Sequence, residues 1–67
     1  MNEVLQEELK SSVGKEITIF LKNNFRYSGR VLNIDDVFVK INDRKVGILF
    51  VRLDDISSII RRDDDRK

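Results

Sequence analysis

Glu16-Ile17-Thr18-Ile19-Phe20-Leu21-Lys22-Asn23-Asn24-Phe25-Arg26-Tyr27-Ser28-Gly29-Arg30-Val31-Leu32-Asn33-Ile34 is the stretch that decides the fold. Residues 16–22 alternate, with Ile17, Ile19 and Leu21 on one face and Thr18 and Phe20 on the other, which is the signature of a half-buried strand. Asn23-Asn24 reads as a two-residue hairpin turn, because Asn tolerates the positive φ such turns demand. The returning strand, residues 25–34, places Phe25, Tyr27 and Val31 in one phase and Leu32 and Ile34 in the other. Gly29 stands just before the switch. A glycine followed by a change of phase predicts a sharply bent strand that serves two faces of a small barrel.

Downstream, Asp35-Asp36 makes a second turn, and Val37, Val39 and Ile41 then alternate with Phe38, Lys40 and Asn42. Asn42-Asp43-Arg44-Lys45 reads as a third turn. The next run, Val46-Gly47-Ile48-Leu49-Phe50-Val51, is apolar on both faces, the pattern of a strand covered on both sides. Leu53-Asp54-Asp55 interrupts it, and residues 56–60 form the last strand. Upstream, Leu5, Leu9 and Val13 recur every four residues. Asn2 suits a helix N-cap, Glu3, Glu7 and Glu8 lie towards the positive end of the helix dipole, and Gly14 is a natural stop. A helix over residues 3–12 is expected. The fold class is therefore mainly β, with a helix in residues 1–14 and five bent antiparallel strands in residues 15–60. Residues 61–67 carry four basic residues and three Asp with no apolar residue, and read as a solvated charged tail.

A chain of 67 residues forms one domain that buries only ~60% of its unfolded surface, so its single core is marginal. Neither Cys nor His is present, which removes disulfides, thiolate metal sites, the commonest general base and the best nucleophile. Self-association is the support left. The doubly apolar run predicts an edge paired with another copy, and Val46, Ile48, Leu49, Phe50, Val51 and Ile59 are the interface candidates. Head-to-tail closure into a ring would remove every edge at once.

Function classes narrow further. The acidic start, Met1-Asn2-Glu3, lacks a signal peptide's basic beginning, and no apolar run approaches the ~20 residues needed to span a bilayer. A cytoplasmic protein without a membrane partner is expected. The pairs Asp35-Asp36, Asp54-Asp55 and Asp63-Asp64 do not make metal sites or catalytic dyads, because adjacent strand residues face opposite sides. No enzyme activity, cofactor, metal or small-molecule substrate is expected. Residues 1–60 hold nine Lys/Arg and nine Asp/Glu, so any anion site is local rather than a bulk positive charge. Lys22, Arg26 and Arg30 interleave with Phe20, Phe25 and Tyr27 on the first hairpin, a pattern that can stack bases and bind phosphates. Alternation assigns Phe25 and Tyr27 to the core and leaves Phe20 as a packing residue or an exposed platform. Arg52 is either a phosphate contact or the ion-pair partner of Asp35, Asp54 or Asp55.

In order and spacing, Gly14-Lys15, Ile17, Ile19, Leu21-Lys22, Asn23-Asn24, Tyr27, Gly29, Val31, Ile34-Asp35 and Ile41 resemble the first motif of the Sm-like (Lsm) family. Val51-Arg52, Asp54-Asp55-Ile56 and Ile59 resemble the shorter second motif. The resemblance spans nearly the whole chain and is of a short archaeal type with Hfq-like features. Ile34-Asp35-Asp36-Val37 fits the spacing of the bacterial RNA chaperone Hfq without a gap. There are departures. Phe38 stands where archaeal and eukaryotic Sm proteins have the base-reading Asn, Leu53 replaces the Gly after Arg52, and Arg52-Leu53-Asp54 replaces the Tyr-Lys-His of Hfq. The resemblance implies the Sm fold, a small open barrel, and a homohexameric or homoheptameric ring that binds single-stranded, usually uridine-rich RNA around its pore. It implies Asp35, Asp36, Phe38 and Arg52 as pore-site residues, in a protein of RNA processing, chaperoning or decay. An Sm-fold scaffold that binds proteins with little RNA affinity is the alternative.

Overall fold

The alternation of residues 16–22 becomes strand β1 (Glu16–Leu21), with Ile17 and Ile19 buried. The computed structural model describes residues 3–61. Helix α1 (Glu3–Lys10) precedes β1, and β2 (Arg26–Ile34), β3 (Phe38–Asp43), β4 (Gly47–Arg52) and β5 (Ile56–Arg61) follow, with a 3-10 turn at Leu53–Asp55. The strands form one antiparallel sheet in the order β4-β3-β2-β1-β5, so β4 and β5 are its two edges. The sheet is strongly bent and not closed. Two irregularities bend it, between Val31 and Asn33 in β2 and between Phe20 and Leu21 in β1. The first carries the change of phase from Val31 to Leu32 and Ile34, as a bulge should.

Gly29 has a sharper reason than a bend. A Cβ there would lie 2.0 Å from the Asn42 carbonyl oxygen and 2.8 Å from Asp43 Cα. The β3 backbone crosses so closely that only hydrogen fits. Inside the curve lie Ile17, Ile19, Val31, Val39 and Ile41, all at most 1% exposed, with Leu9 of the helix against them. An eight-residue helix is not stable alone in water, so the burial of Leu9, about 1.5–3 kcal/mol, holds it.

Several boundaries differ from the sequence expectation. The helix ends at Lys10 rather than residue 12, because the Ser11 and Ser12 hydroxyls both donate back to the Glu8 carbonyl, at 3.0 and 2.8 Å. Gly14, at φ +87°, serves the corner into the sheet instead of capping the helix, and its N–H donates to the Val31 carbonyl. The first hairpin loop has four residues, 22–25, not two. Leu21 N–H donates to the Phe25 carbonyl, and only Asn24 adopts positive φ, at 73°. Phe25, expected in the core, is 61% exposed, because it sits in the loop beyond the rim of the core. Tyr27 does pack against the core. Val37 lies in the loop before β3 and is exposed.

The third turn also moves. Asp43 is the last residue of β3 and is buried, and the turn begins at Arg44. Its Oδ1 accepts from Lys45 N–H and Val46 N–H, at 2.7 and 3.0 Å, and its Oδ2 from Ser28 N–H at 3.0 Å. One carboxylate thus fastens the β3–β4 turn to β2. Strand β4 is not covered on both sides within the chain. Val51 is buried and Leu49 half-buried on the inner face, whereas Ile48 and Phe50 project outward into solvent. The N-cap reading of Asn2 and the charged tail beyond Arg61 lie outside the described residues. No helix among the described residues is long and apolar enough to cross a membrane.

Candidate nucleic-acid interface

The β2–β3 loop is set by Asp35. Its Oδ1 accepts from Val37 N–H and Phe38 N–H, both at 2.8 Å, while its own N–H donates to the Phe38 carbonyl at 2.9 Å. An Asp that closes a turn this way is common turn chemistry. The Phe38 N–H and then the Val37 N–H hold the exposed carboxyl below its ordinary value. The helix braces this loop, for Gln6 Nε2 donates to Asp36 Oδ1 at 3.2 Å and to the Asp35 carbonyl at 3.5 Å. Asp36 is thereby tied to the helix rather than aimed outward alone.

Register then assembles a face on the outside of β3 and β4. Phe38 pairs with Arg52, and Lys40 pairs with both Phe50 and Asn33, so these side chains share one side of the sheet. The Phe38 and Phe50 rings meet edge to face, 6.4 Å apart at 87°. Lys40 Nζ stands 5.7 Å from the Phe50 centroid, a cation–π contact of about 0.5–1 kcal/mol at an exposed site. Arg52 lies 4.0 Å from Asp54 Oδ2, at the outer limit of an ion pair, and both side chains are exposed. Such a pair contributes ~0–1 kcal/mol and leaves the guanidinium reachable. The register thus brings Phe38 and Arg52 together, with Asp35 beside them.

The first hairpin is only partly a cluster. Phe20 is half-buried and pairs with Arg26 across β1 and β2 on the outer face, and Lys22 is exposed in the adjoining loop. Arg30 lies four residues further along β2, ~13 Å away at strand rise. Its guanidinium donates to the Gly14 carbonyl at 2.8 Å, so it fastens the helix corner rather than joining Arg26. Glu16, which pairs with Arg30 in register, forms its ion pair with Arg44 at 2.6 Å.

At the edges, Val46, Ile48 and Phe50 are exposed along β4 and the turn before it, and Ile60 is exposed on β5. Leu49 and Ile59 are half-buried against the core, and Val51 is itself a core residue. From β4, Val51 offers only backbone to a neighbour. At the other edge, Arg61 is tied to the helix through Glu8, at 2.7 Å. No group of three or more His, Cys, Asp or Glu that could hold a metal occurs among the described residues.

Sequence reasoning missed Lys40, Asn33 and Gln6. The first two need the β2–β3–β4 register to be placed beside Phe38 and Phe50. Gln6 carries no local signal, since it depends on where the helix lies over the loop.

Neither a protein-family model nor a curated protein matches the chain. Among solved structures, the fold is similar to a 1.55 Å crystal structure described as the pleiotropic translational regulator Hfq. The TM-score is 0.75 at 20% identity, over 85% of this chain and 97% of that one. The likeness gives this chain the Sm fold of Hfq, with its N-terminal helix followed by five antiparallel strands.

Proposed function

We propose that this chain is a cytoplasmic Sm-like RNA-binding protein, not an enzyme. In this reading it assembles into a homo-oligomeric ring of six or seven subunits and binds single-stranded, uridine-rich RNA near the pore. RNA processing, chaperoning or decay is the setting. The observation that carries the reading is an Sm fold whose two edge strands lack a partner strand among the described residues and expose Ile48 and Phe50 on β4 and Ile60 on β5, beside an exposed face of Phe38, Phe50, Lys40 and Arg52.

The edges argue for assembly. An open sheet with apolar edges invites another strand, and β4 of one subunit can take β5 of the next. The outward residues of β4, Ile48 and Phe50, then lie beside outward residues of β5 such as Ile60, so exposed apolar surface on both edges is covered together. The same step repeated round a closed circle leaves no edge.

For RNA, Phe38 supplies a ring on which a base stacks, worth ~1–3 kcal/mol, in place of an Asn that would read a base edge. Arg52 supplies charge that ring symmetry repeats around the pore, and Lys22, Arg26 and Phe20 offer a second surface on the hairpin. A second reading, an oligomeric scaffold for protein partners, is favoured by the even charge of residues 1–60.

Fluorescence anisotropy of labelled oligouridine and oligoadenine at two salt concentrations tests the proposal. Salt-sensitive binding that prefers oligouridine is the expected result. Equal binding of both points to phosphate tracking along the hairpin, and binding of neither supports the scaffold.

A further inference from the structure

We propose that the surface cavity between the end of β2 and the outer faces of β3 and β4 is a subsite for a guanine base, and that Asp35 determines its specificity. The inference rests on the reading of the chain as a single-stranded RNA-binding protein and adds which base a uridine-rich strand presents there. The cavity measures about 190 Å³ and is lined by Asn33, Ile34, Asp35, Phe38, Lys40 and Phe50. That is several times the ~30 Å³ share of one water molecule and below the ~300 Å³ at which drug-sized pockets begin. It is room for one flat ring system.

The walls suit such a ring. Phe38 and Phe50 stand at 87°, so a planar base that stacks on one meets the edge of the other. The polar groups set which base. Asp35 caps its turn through Oδ1 alone, by the two 2.8 Å bonds from Val37 and Phe38, and these fix the carboxylate while Oδ2 takes part in neither. An ionised carboxylate only accepts hydrogen bonds. Asn33 accepts the Ile34 N–H with its own Oδ1 at 2.8 Å, so its amide nitrogen is left to donate. Lys40 adds three donors on a positive charge beside Phe50.

The cavity thus offers a fixed acceptor on one side and donors on another. Guanine carries adjacent N1–H and N2–H donors that can converge on Oδ2, since Oδ1 is taken by the two backbone N–H groups, and its O6 and N7 acceptors suit a lysine. Uracil presents a single N–H flanked by carbonyl oxygens, which face a carboxylate unfavourably. Adenine and cytosine each bring one amino group. The guanine edge matches both sides.

The test uses fluorescent uridine heptamers whose central base is uracil, guanine, adenine, cytosine or absent, titrated against the full chain and its Asp35→Asn variant. Asn keeps the oxygen that caps the turn and replaces Oδ2 with an amino donor. The wild type should bind the guanine heptamer about tenfold more tightly than the all-uridine one, the scale of one good base-edge contact, and the abasic heptamer most weakly. Asp35→Asn should reverse the order of guanine and uracil with circular dichroism and native mass unchanged. Lys40→Gln, away from the turn, should lower the guanine preference severalfold and serves if Asp35→Asn disturbs the loop. Equal affinity for all four bases, or a guanine preference that survives both variants, overturns the subsite and leaves the RNA-binding reading standing. Failure of the wild type to bind any heptamer overturns both.

Discussion

Replacing Gly29 with Ala should nearly unfold the protein. The new methyl carbon would lie 2.0 Å from the Asn42 oxygen, 2.7 Å from the Asn42 carbonyl carbon and 2.8 Å from Asp43 Cα. All three are backbone atoms, so no side-chain rotation relieves the clash and β3 must retreat by more than 1 Å, about what a ~3.3 Å carbon–oxygen contact requires. Overpacking of this kind costs about 1–3 kcal/mol. The retreat also pulls Asp43 from Ser28 N–H, now 3.0 Å away, and leaving that partly buried donor unmade adds about 1–3 kcal/mol. A loss of about 2–6 kcal/mol compares with a total near 3–10 kcal/mol for a chain of this length. Gly14→Ala is the control. It introduces no contact within 4 Å and carries only the cost of φ +87°, about 1–2 kcal/mol. Urea titrations followed by circular dichroism at one fixed protein concentration compare the two, since any self-association would make stability concentration-dependent. With a slope of about 1 kcal/mol per molar urea, Gly29→Ala should move the midpoint by about 2–6 M or abolish the folded baseline. A loss below 1 kcal/mol, or one no larger than that of Gly14→Ala, would refute the close-crossing argument.

Other consequences follow from the same geometry. Burial pushes the Asp43 carboxyl up, but the N–H groups of Val46, Lys45 and Ser28 and the charge of Lys45 outweigh it and hold the group below its ordinary value. The folded protein therefore binds that proton more weakly than the unfolded chain. The Asp43 contribution is complete above the unfolded value near 3.8 and is lost as pH falls through the lower folded one. Asp35 acts in the same direction. An acid titration should show stability declining below about pH 4, with a shallower decline in Asp43→Asn, which should also be about 1–2 kcal/mol less stable at pH 7 for want of the Ser28 bond. Ile48→Lys places a charge on the outward face of the edge strand and should yield a smaller species by light scattering without loss of folded circular dichroism. Arg52→Ala should leave the assembly intact and weaken oligouridine binding about fivefold, with the salt slope lowered by about 1 for each arginine engaged on the strand.

Much of the fold was legible because its signals are local. The alternation in β1, the change of phase in β2 and the break at Leu53-Asp54-Asp55 each concern neighbours in sequence, and all appear in the structure. Phe25 misled because alternation reports the face of a side chain and not where the core ends. From its sequence neighbours alone Asp43 is a turn residue. Its bonds to Lys45 and Val46 do belong to a turn, but its bond to Ser28 depends on a strand 15 residues away. Gly29 was legible as unusual, though its cause is the Asn42 carbonyl on a strand not yet placed. The face of Phe38, Lys40 and Phe50 likewise required the register that sets Lys40 against Phe50. The motif resemblance implies Phe38 and Arg52 as site candidates, and only pairing across strands supplies their neighbours.

The proposed assembly depends on what covers the edges of the sheet at β4 and β5. Native mass spectrometry at micromolar concentration, with and without oligouridine, tests it most directly. The expected result is one closed species of six or seven chains that takes up RNA without changing its number of subunits. A monomer that binds no RNA under the same conditions would contradict it.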